Sequence, residues 1–298
     1  MVDFHRTLYP FVGSYLSLDG ISMHYLDEGA GDPVVMLHGN PTWSFYYRNL
    51  IKGLRDSYRT IVPDHVGCGM SDKPDSRRYE FTLDRRARDL ESLLDHLKIN
   101  QRVTLVDHDW GGMIGMTYAT RYPERIARLV LLNTAAFHLP SSKQLPPSLW
   151  LCRKTPLDDF LIRQSGLFGQ IVTRWGCRRQ PMEPLVREGY LSPHRSAERR
   201  LGQLKFVQDI PLQPEDPSYK LVSEVQEKLT LFRKTPTLIL WGEKDWVFDH
   251  HFLDVWQKTL PNAEVHRFPD AGHLVLEDAG SEILPIMRNF LEKHPCAA

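Results

Sequence analysis

The chain has 298 residues, of which 42% are hydrophobic and 25% are charged, so an ordinary globular core is expected and disorder is not. Its formal net charge is zero, with 37 basic and 37 acidic residues, which argues against a nucleic-acid binder that neutralises phosphates. No apolar run approaches the roughly 18–20 residues of a membrane span, and residues 1–6 show no signal peptide. The four cysteines form no C-x-x-C pair, so we expect free thiols in a soluble cytoplasmic protein.

Short apolar runs alternate with amphipathic, helix-length segments through the first 133 residues. Strands are predicted, in chain order, at 21–25, 33–37, 60–63, 103–106 and 129–132. Helices are predicted at 45–54, 84–97 and 113–122. Alternation of this kind is typical of an α/β fold with a mostly parallel, doubly wound sheet and helices on both faces. A ligand site is expected beyond the carboxyl ends of its strands.

The rhythm breaks between residues 134 and 220, where no strand is visible and ten prolines divide the chain into short helices. We predict a helical cap domain there, called the cap segment below, on a core domain formed by 1–133 and 221–298. The sheet pattern then resumes, with strands at 237–241 and 264–268 and helices at 251–260 and 281–294. The cap segment is expected to form an apolar pocket suited to an alkyl chain. Its apolar candidates are Phe137, Leu139, Leu149, Trp150, Phe160, Leu167, Phe168, Trp175 and Phe206.

An aspartate occupies the point where the predicted strand 103–106 gives way to a helix. Asp109 is followed by Trp110, Gly111 and Gly112, which is the nucleophile-elbow pattern of α/β-hydrolases with a carboxylate in place of serine. Asp is ionised at neutral pH and needs no base to activate it. It can displace a leaving group from an sp³ carbon, or open a strained ring, to give an ester on the enzyme. The alternative is a helix N-cap, but an N-cap does not require the small residues that follow.

The elbow order of nucleophile, acid and base predicts the partners of Asp109. His273 would activate a water against the ester, although a lone histidine near the end of a domain is commonly structural. Asp245 directly follows strand 237–241 and could orient His273. Glu243 competes for that role, and Asn133, at the other position for an acid, cannot carry the charge.

Two neutral donors flank the elbow. The loop after strand 33–37 contains Asn40 and should supply a backbone N–H to an oxyanion hole. The side-chain amide of Asn40 and the indole N–H of Trp110 could hold a departing halide. The alternatives are a turn-forming asparagine and a buried core aromatic. Asp107 adds a second carboxylate, which could raise the pKa of one aspartate or turn away into a hydrogen-bonded site.

These motifs together resemble the haloalkane dehalogenase family of α/β-hydrolases over nearly the whole chain. The matching segments are 38–42, 67–74, 108–111 and 272–273. The resemblance implies a nucleophile at Asp109 and halide binding by Asn40 and Trp110. An acid at Asp245 points to the first or third subfamily of that family. Further segments resemble the third, namely 43–48, 112–116, 133–140 and 206–211.

The predicted function is therefore displacement of halide from a haloalkane through an alkyl ester on Asp109, which water then hydrolyses to an alcohol. The third subfamily also includes the β-lactone decarboxylases of bacterial olefin biosynthesis, so the alternative is conversion of a β-lactone to an alkene and CO₂. No metal or organic cofactor is implied, and the partners are a small apolar substrate, water and the halide product. A homo-oligomer or a biosynthetic complex is left open.

Two other functions are less well supported. The first is an epoxide hydrolase. Resemblance gives such enzymes an aromatic residue in place of Asn40 and ring-activating tyrosines in the cap, and the cap segment here offers only Tyr190 and Tyr219. A non-catalytic binding protein on the same fold would have no use for both a nucleophile and a water-activating base.

Overall fold

The computed structural model describes residues 8–100, 102–155 and 157–296. The N-terminal segment 1–6, where no signal peptide is predicted, lies outside the described residues. The fold is built on an eight-stranded sheet with the strand order β1-β2-β4-β3-β5-β6-β7-β8. Its strands are β1 (Ser14–Leu18), β2 (Ile21–Glu28), β3 (Pro33–Leu37), β4 (Arg59–Pro63), β5 (Val103–Asp109), β6 (Ile126–Thr134), β7 (Thr237–Gly242) and β8 (Glu264–Phe268).

The predicted mostly parallel sheet is confirmed. Strands β1, β2 and β4 pair antiparallel, and every pairing from β4 to β8 is parallel. Strand β1 was not predicted. It is an edge strand with mostly exposed side chains, so it carries no buried apolar run for a sequence pattern to detect.

Ten α-helices of the described residues surround the sheet. They are α1 (Arg48–Leu54), α2 (Leu83–His96), α3 (Trp110–Arg121), α4 (Pro147–Lys154), α5 (Leu167–Trp175), α6 (Pro184–Leu191), α7 (Leu201–Gln208), α8 (Tyr219–Lys228), α9 (His250–Thr259) and α10 (Val275–Lys293). The predicted helix 45–54 is a 3₁₀ turn, Ser44–Tyr47, followed by α1. Helix α10 starts before the predicted residue 281 because two helical pieces join across a kink at Ala279.

Two apolar layers hold the helices on the sheet. Alternate residues of β3 point to opposite faces, with Val35 and Leu37 in one layer and Val34 and Met36 in the other. Helices α2, α3, α8 and α9 contribute to the first layer, and α1 and α10 to the second. Burial on both faces explains why the central strands read as continuous apolar runs.

The part of the cap segment that the structure describes is helical. It contains α4 to α7 and a π-helical stretch, Asp159–Gln164, packed on a small cluster that includes Cys152 and Ile162. Pro147 and Pro184 lie in the first turns of α4 and α6, where a missing N–H removes no helical hydrogen bond. The domain boundaries at 134 and 220 stay a prediction. Within the described ranges, no helix is long and apolar enough to cross a membrane.

Candidate active site

The turn from β5 into α3 has no intervening loop. Asp109 ends the strand with φ 52° and ψ −122°, and Trp110 begins the helix. A non-glycine residue held in such a region costs about 1–3 kcal/mol, which the surrounding packing must offset. Strand β3 lies too close to the turn for a side chain at position 111, since a Cβ on Gly111 would lie 1.9 Å from the carbonyl oxygen of Leu37. A Cβ on Gly39 would likewise lie 2.1 Å from Oδ1 of Asp109.

The two oxygens of the Asp109 carboxylate have different surroundings. Oδ1 accepts a hydrogen bond of 2.6 Å from the backbone N–H of Asn40. Oδ2 accepts none from a described residue. Burial raises the pKa of Asp109, and the nearby His273 and the backbone N–H groups of Asn40 and Trp110 oppose that rise. The N–H of Asn40 lies where a donor of an oxyanion hole would, and Oδ2 is left for a ligand.

His273 and Asp245 meet as predicted. Nδ1 of His273 donates to Oδ2 of Asp245 at 2.8 Å, and the other carboxylate oxygen accepts from the N–H of Val247 at 2.7 Å. Burial alone would lower the pKa of His273, but the charges of Asp245 and Asp109 raise it above its usual value. With Nδ1 occupied, Nε2 is the nitrogen available to the cavity that His273 lines.

The competing positions for an acid have other contacts. The carboxylate of Glu243 lies 3.4 Å from the guanidinium of Arg267 on the exposed surface. The side chain of Asn133 bonds both the N–H and the carbonyl of Gly242, at 2.8 and 2.9 Å, and so ties β6 to β7. Of Asp245, Glu243 and Asn133, only Asp245 bonds His273.

Asn40 and Trp110 line the same cavity as Asp109 and His273. The side-chain amide of Asn40 donates to the carbonyl of Gln203 in α7 at 3.0 Å, which leaves its second N–H. Within the described residues, the indole N–H of Trp110 donates to no acceptor. Both predicted halide donors therefore keep an unused N–H.

Asp107 lies apart from this arrangement. It is fully buried against α3, where a Cβ on Gly115 would lie 2.5 Å from its Oδ1. Neither carboxylate oxygen has a hydrogen-bond partner among the described residues, so the hydrogen-bonded site considered for Asp107 is not found. Burial raises the pKa of Asp107 well above its usual value and so favours the protonated form.

The cavity has a volume of about 230 Å³. Its polar lining comes mainly from Asn40, Asp109 and His273, and its walls are almost entirely apolar. The cap segment contributes Phe137, Leu139, Leu145, Leu149, Leu151, Cys152, Leu161, Leu167, Phe168, Ile171, Val172, Val207, Ile210 and Leu212, among others. The prediction of an apolar pocket holds for five of its nine candidates. It is wrong for Trp150, Phe160 and Trp175, which face outward, and for Phe206, which lies behind the wall.

Residues 32–280 match the family described as alpha/beta hydrolase fold. The chain belongs to the α/β-hydrolase family. It is 54% identical over 96% of its length to the cis-3-alkyl-4-alkyloxetan-2-one decarboxylase of Shewanella oneidensis, and the match covers 90% of that protein. It is 34% identical to a haloalkane dehalogenase of Mycolicibacterium paratuberculosis, with 92% of this chain and 91% of that protein covered.

A solved structure shares the fold. A variant of a haloalkane dehalogenase from Agrobacterium tumefaciens C58 matches with a TM-score of 0.83 at 25% identity, over 94% of this chain and 96% of that one. The predicted α/β-hydrolase fold, the resemblance to this group of enzymes and the prediction of an enzyme are confirmed.

One contact behind the cavity of this α/β-hydrolase was not predicted. Phe206 packs on Trp110 with ring centroids 5.3 Å apart, and the guanidinium of the buried Arg86 lies 3.8 Å from the Phe206 ring. No guanidinium nitrogen of Arg86 has a hydrogen-bond partner among the described residues, and a carboxylate oxygen of Asp209 lies 3.7 Å away. Burial raises the pKa of Asp209 to about 6, although Arg86 opposes the rise. In sequence, Arg86 looks like one more surface arginine of an arginine-rich helix.

His108, which lies in the motif segment 108–111, fixes the loop that carries His273. Its Nε2 lies 2.9 Å from the carbonyl oxygen of His273, and its ring lies 4.3 Å from that of Tyr46. Burial lowers the pKa of His108 well below its usual value. A neutral ring that donates through Nε2 is therefore a positioning group.

One group of three adjacent side chains in the described residues has metal-ligand chemistry: Asp249, His250 and His251. The ammonium of Lys143 forms a salt bridge with Asp249, and Nδ1 of His251 bonds the same carboxylate at 3.0 Å. The carboxylate is thus already engaged, and none of these three side chains lines the cavity.

Proposed function

We propose that Asp109 is the nucleophile of an enzyme that breaks a carbon–halogen or carbon–oxygen bond in an apolar alkyl substrate. The observation that carries the proposal is the asymmetry of its carboxylate. One oxygen is held by the backbone N–H of Asn40, and the other is open to an apolar cavity that also presents two neutral donors. Membership of the family supports the predicted haloalkane dehalogenase chemistry.

In the first step with a haloalkane, Oδ2 of Asp109 attacks the carbon that bears the halogen, and the halide leaves with the bonding electrons. The unused N–H groups of Asn40 and Trp110 would receive the developing negative charge. A basic side chain in their place would form an ion pair with Asp109 and make its carboxylate a weaker nucleophile. The product of this step is an alkyl ester on Asp109.

In the second step, Nε2 of His273 takes a proton from a water that attacks the ester carbonyl carbon. The backbone N–H groups of Asn40 and Trp110 would hold the oxyanion, and Asp245 would stabilise the imidazolium of His273. The charge of Asp109 helps to raise the pKa of His273 in the free enzyme. The ester removes that charge, so His273 becomes easier to deprotonate when a base is needed.

A β-lactone is the second substrate class, and the 54% identity to a decarboxylase supports it as the substrate in the cell. Asp109 would attack the sp³ ring carbon that bears the ring oxygen, and the bond between that carbon and the ring oxygen would break. The product is an ester on Asp109 with a free carboxylate on the neighbouring carbon. Loss of CO₂ would leave its electron pair to form the C=C bond, and the Asp109 carboxylate would depart. This route consumes no water and needs no base.

The test offers the purified enzyme a cis-dialkyl β-lactone and a bromoalkane of matched chain length. Alkene is measured by gas chromatography and bromide by a halide assay. We expect alkene from the lactone, bromide from the bromoalkane, and neither from Asp109→Ala. Absence of both products with the unmodified enzyme, or their persistence in Asp109→Ala, would overturn the proposal.

A further inference from the structure

The cap segment carries an exposed apolar surface. Of the eleven large hydrophobic side chains that are exposed in the described residues, seven lie within 26 consecutive residues. We call these seven the outer patch: Trp150, Leu151, Leu157, Phe160, Leu167, Ile171 and Trp175. Contiguous apolar surface of this kind commonly marks an interaction site.

The outer patch is continuous with the cavity. Leu167, Ile171 and Trp175 are spaced four residues apart on α5, so they share one face of that helix. Leu151, Leu167 and Ile171 are both exposed and part of the cavity lining. These side chains therefore mark where the cavity meets the surface, and they place this part of the outer patch at the rim of its opening.

The cap segment, which carries the outer patch, has a net positive charge, and residues 150–175 hold four Lys and Arg against two Asp. Residues 134–220 hold 13 Lys and Arg against eight Asp and Glu, whereas the whole chain is neutral. Arg174 and Arg178 lie next to the Trp175 end of α5, and both are exposed. Neither guanidinium forms a salt bridge with a described residue. An apolar rim with exposed cations beside it is complementary to a surface that is apolar beneath and negatively charged outside.

We propose that the outer patch docks on an anionic lipid membrane, with Trp150, Phe160 and Trp175 inserted at the headgroup level and the cavity open toward the bilayer. Tryptophan and phenylalanine are favoured at that depth, and each nearby cation adds attraction to anionic lipid. The docking does not depend on the proposed function. Its use does, since an apolar alkyl substrate dissolved in a bilayer could then enter the cavity without crossing water.

The first test is flotation of the full-length protein with vesicles of phosphatidylglycerol and phosphatidylethanolamine, compared with phosphatidylcholine alone. The variant W150S/F160S/W175S removes three exposed rings that do not line the cavity. We expect its partitioning onto anionic vesicles to fall by about tenfold or more. The matched control, Y15S/L231S, removes two exposed apolar side chains of the core and should bind like the unmodified protein.

The second test separates charge from apolar insertion. R174Q/R178Q should weaken binding to anionic vesicles by roughly fivefold or more, and leave binding to phosphatidylcholine unchanged. Lipids brominated near the headgroup should quench part of the tryptophan fluorescence. W150F/W175F should lose that quenching while it keeps most of the binding.

Three results would overturn the proposal: no binding to anionic vesicles, undiminished binding by W150S/F160S/W175S, or conversion of a concentration-dependent oligomer to a monomer by that variant without any vesicle binding. The last would assign the outer patch to an interface between copies of the chain. Circular dichroism and turnover of a short, water-soluble bromoalkane check that the variant is folded. Since that turnover needs no membrane, a failure of docking and a failure of the proposed function remain distinguishable.

Discussion

The two sides of the cavity differ in kind. The core presents its polar groups, Asn40, Asp109 and His273, from loops or turns at the ends of strands whose positions the sheet fixes. The cap segment presents apolar side chains from short helices. Polar catalytic groups lose their value when they move by a fraction of an ångström, whereas apolar walls tolerate replacement. Substitutions on the core side should therefore change rates, and those in the cap segment should change which substrate fits.

The sharpest test of that contrast is Asp109→Ala. Because Asp109 is the one carboxylate of the described residues that lines the cavity, we expect kcat to fall by about 10⁴-fold or more for both substrates. Steady-state release of bromide and alkene measures the loss. A cap variant such as Leu149→Ala serves as the contrast, with a changed KM and chain-length preference. Comparable losses of kcat in the two variants would contradict the division of labour.

His273→Gln should separate the two steps. The variant should still alkylate Asp109 with a bromoalkane but fail to hydrolyse the ester, because the missing base acts only on water. Peptide mass spectrometry should then find the alkyl group on the peptide that contains Asp109. With a β-lactone, alkene formation should survive to a larger extent, since that route uses no water. Full steady-state bromide release by this variant would remove His273 from the mechanism.

Asn40→Ala and Trp110→Phe each delete one unused donor. By analogy with oxyanion holes, we expect bromoalkane turnover to fall by about 10²–10³-fold in each. Asn40→Ala should also loosen α7, because the amide of Asn40 bonds the carbonyl of Gln203. The loss with a β-lactone should differ, since the charge develops on a carboxylate. Unchanged bromoalkane turnover in both variants would exclude halide binding by this pair and favour the lactone.

The pH dependence should differ between the two substrates. His273 must be neutral to activate water, and its pKa is raised by Asp245 and Asp109. In the ester intermediate the charge of Asp109 is gone and that of Asp245 remains, so ester hydrolysis should slow as pH falls through the pKa of His273 in that intermediate, by about tenfold per unit below it. Halide release in a single turnover should persist there, because Asp109 attacks without a base. Rapid-quench measurements of bromide and alcohol test this. If bromide release in a single turnover slowed at low pH together with alcohol formation, the two-step mechanism would be contradicted.

The sequence patterns located most of the core side and little of the cap side, for a physical reason. Strand β3 matches its predicted bounds because its five buried residues form an uninterrupted apolar run, and the partly exposed β8 matches its bounds as well. Asp109, Asp245 and His273 could be placed because each follows a strand of a parallel sheet. The outward turn of Trp150 could not, since an aromatic side chain is compatible with a wall and with a rim. Arg86 was missed because burial of a charge leaves no sequence signal.

Asp107 should give the smallest change in activity and one in stability. It points away from the cavity, so Asp107→Asn should keep kcat within about twofold. Its stability effect has a definite sign. The folded-state pKa is raised, so at pH above the unfolded value the unfolded chain loses a proton that the folded chain retains, and stability falls as pH rises. Removing this group should therefore raise Tm at neutral and alkaline pH and leave Tm similar near pH 3. Asp107→Val, which adds no polar atom, controls for new hydrogen bonds. A collapse of kcat in both variants, or a Tm that falls more at high pH than at low, would show that Asp107 is charged and takes part in the site.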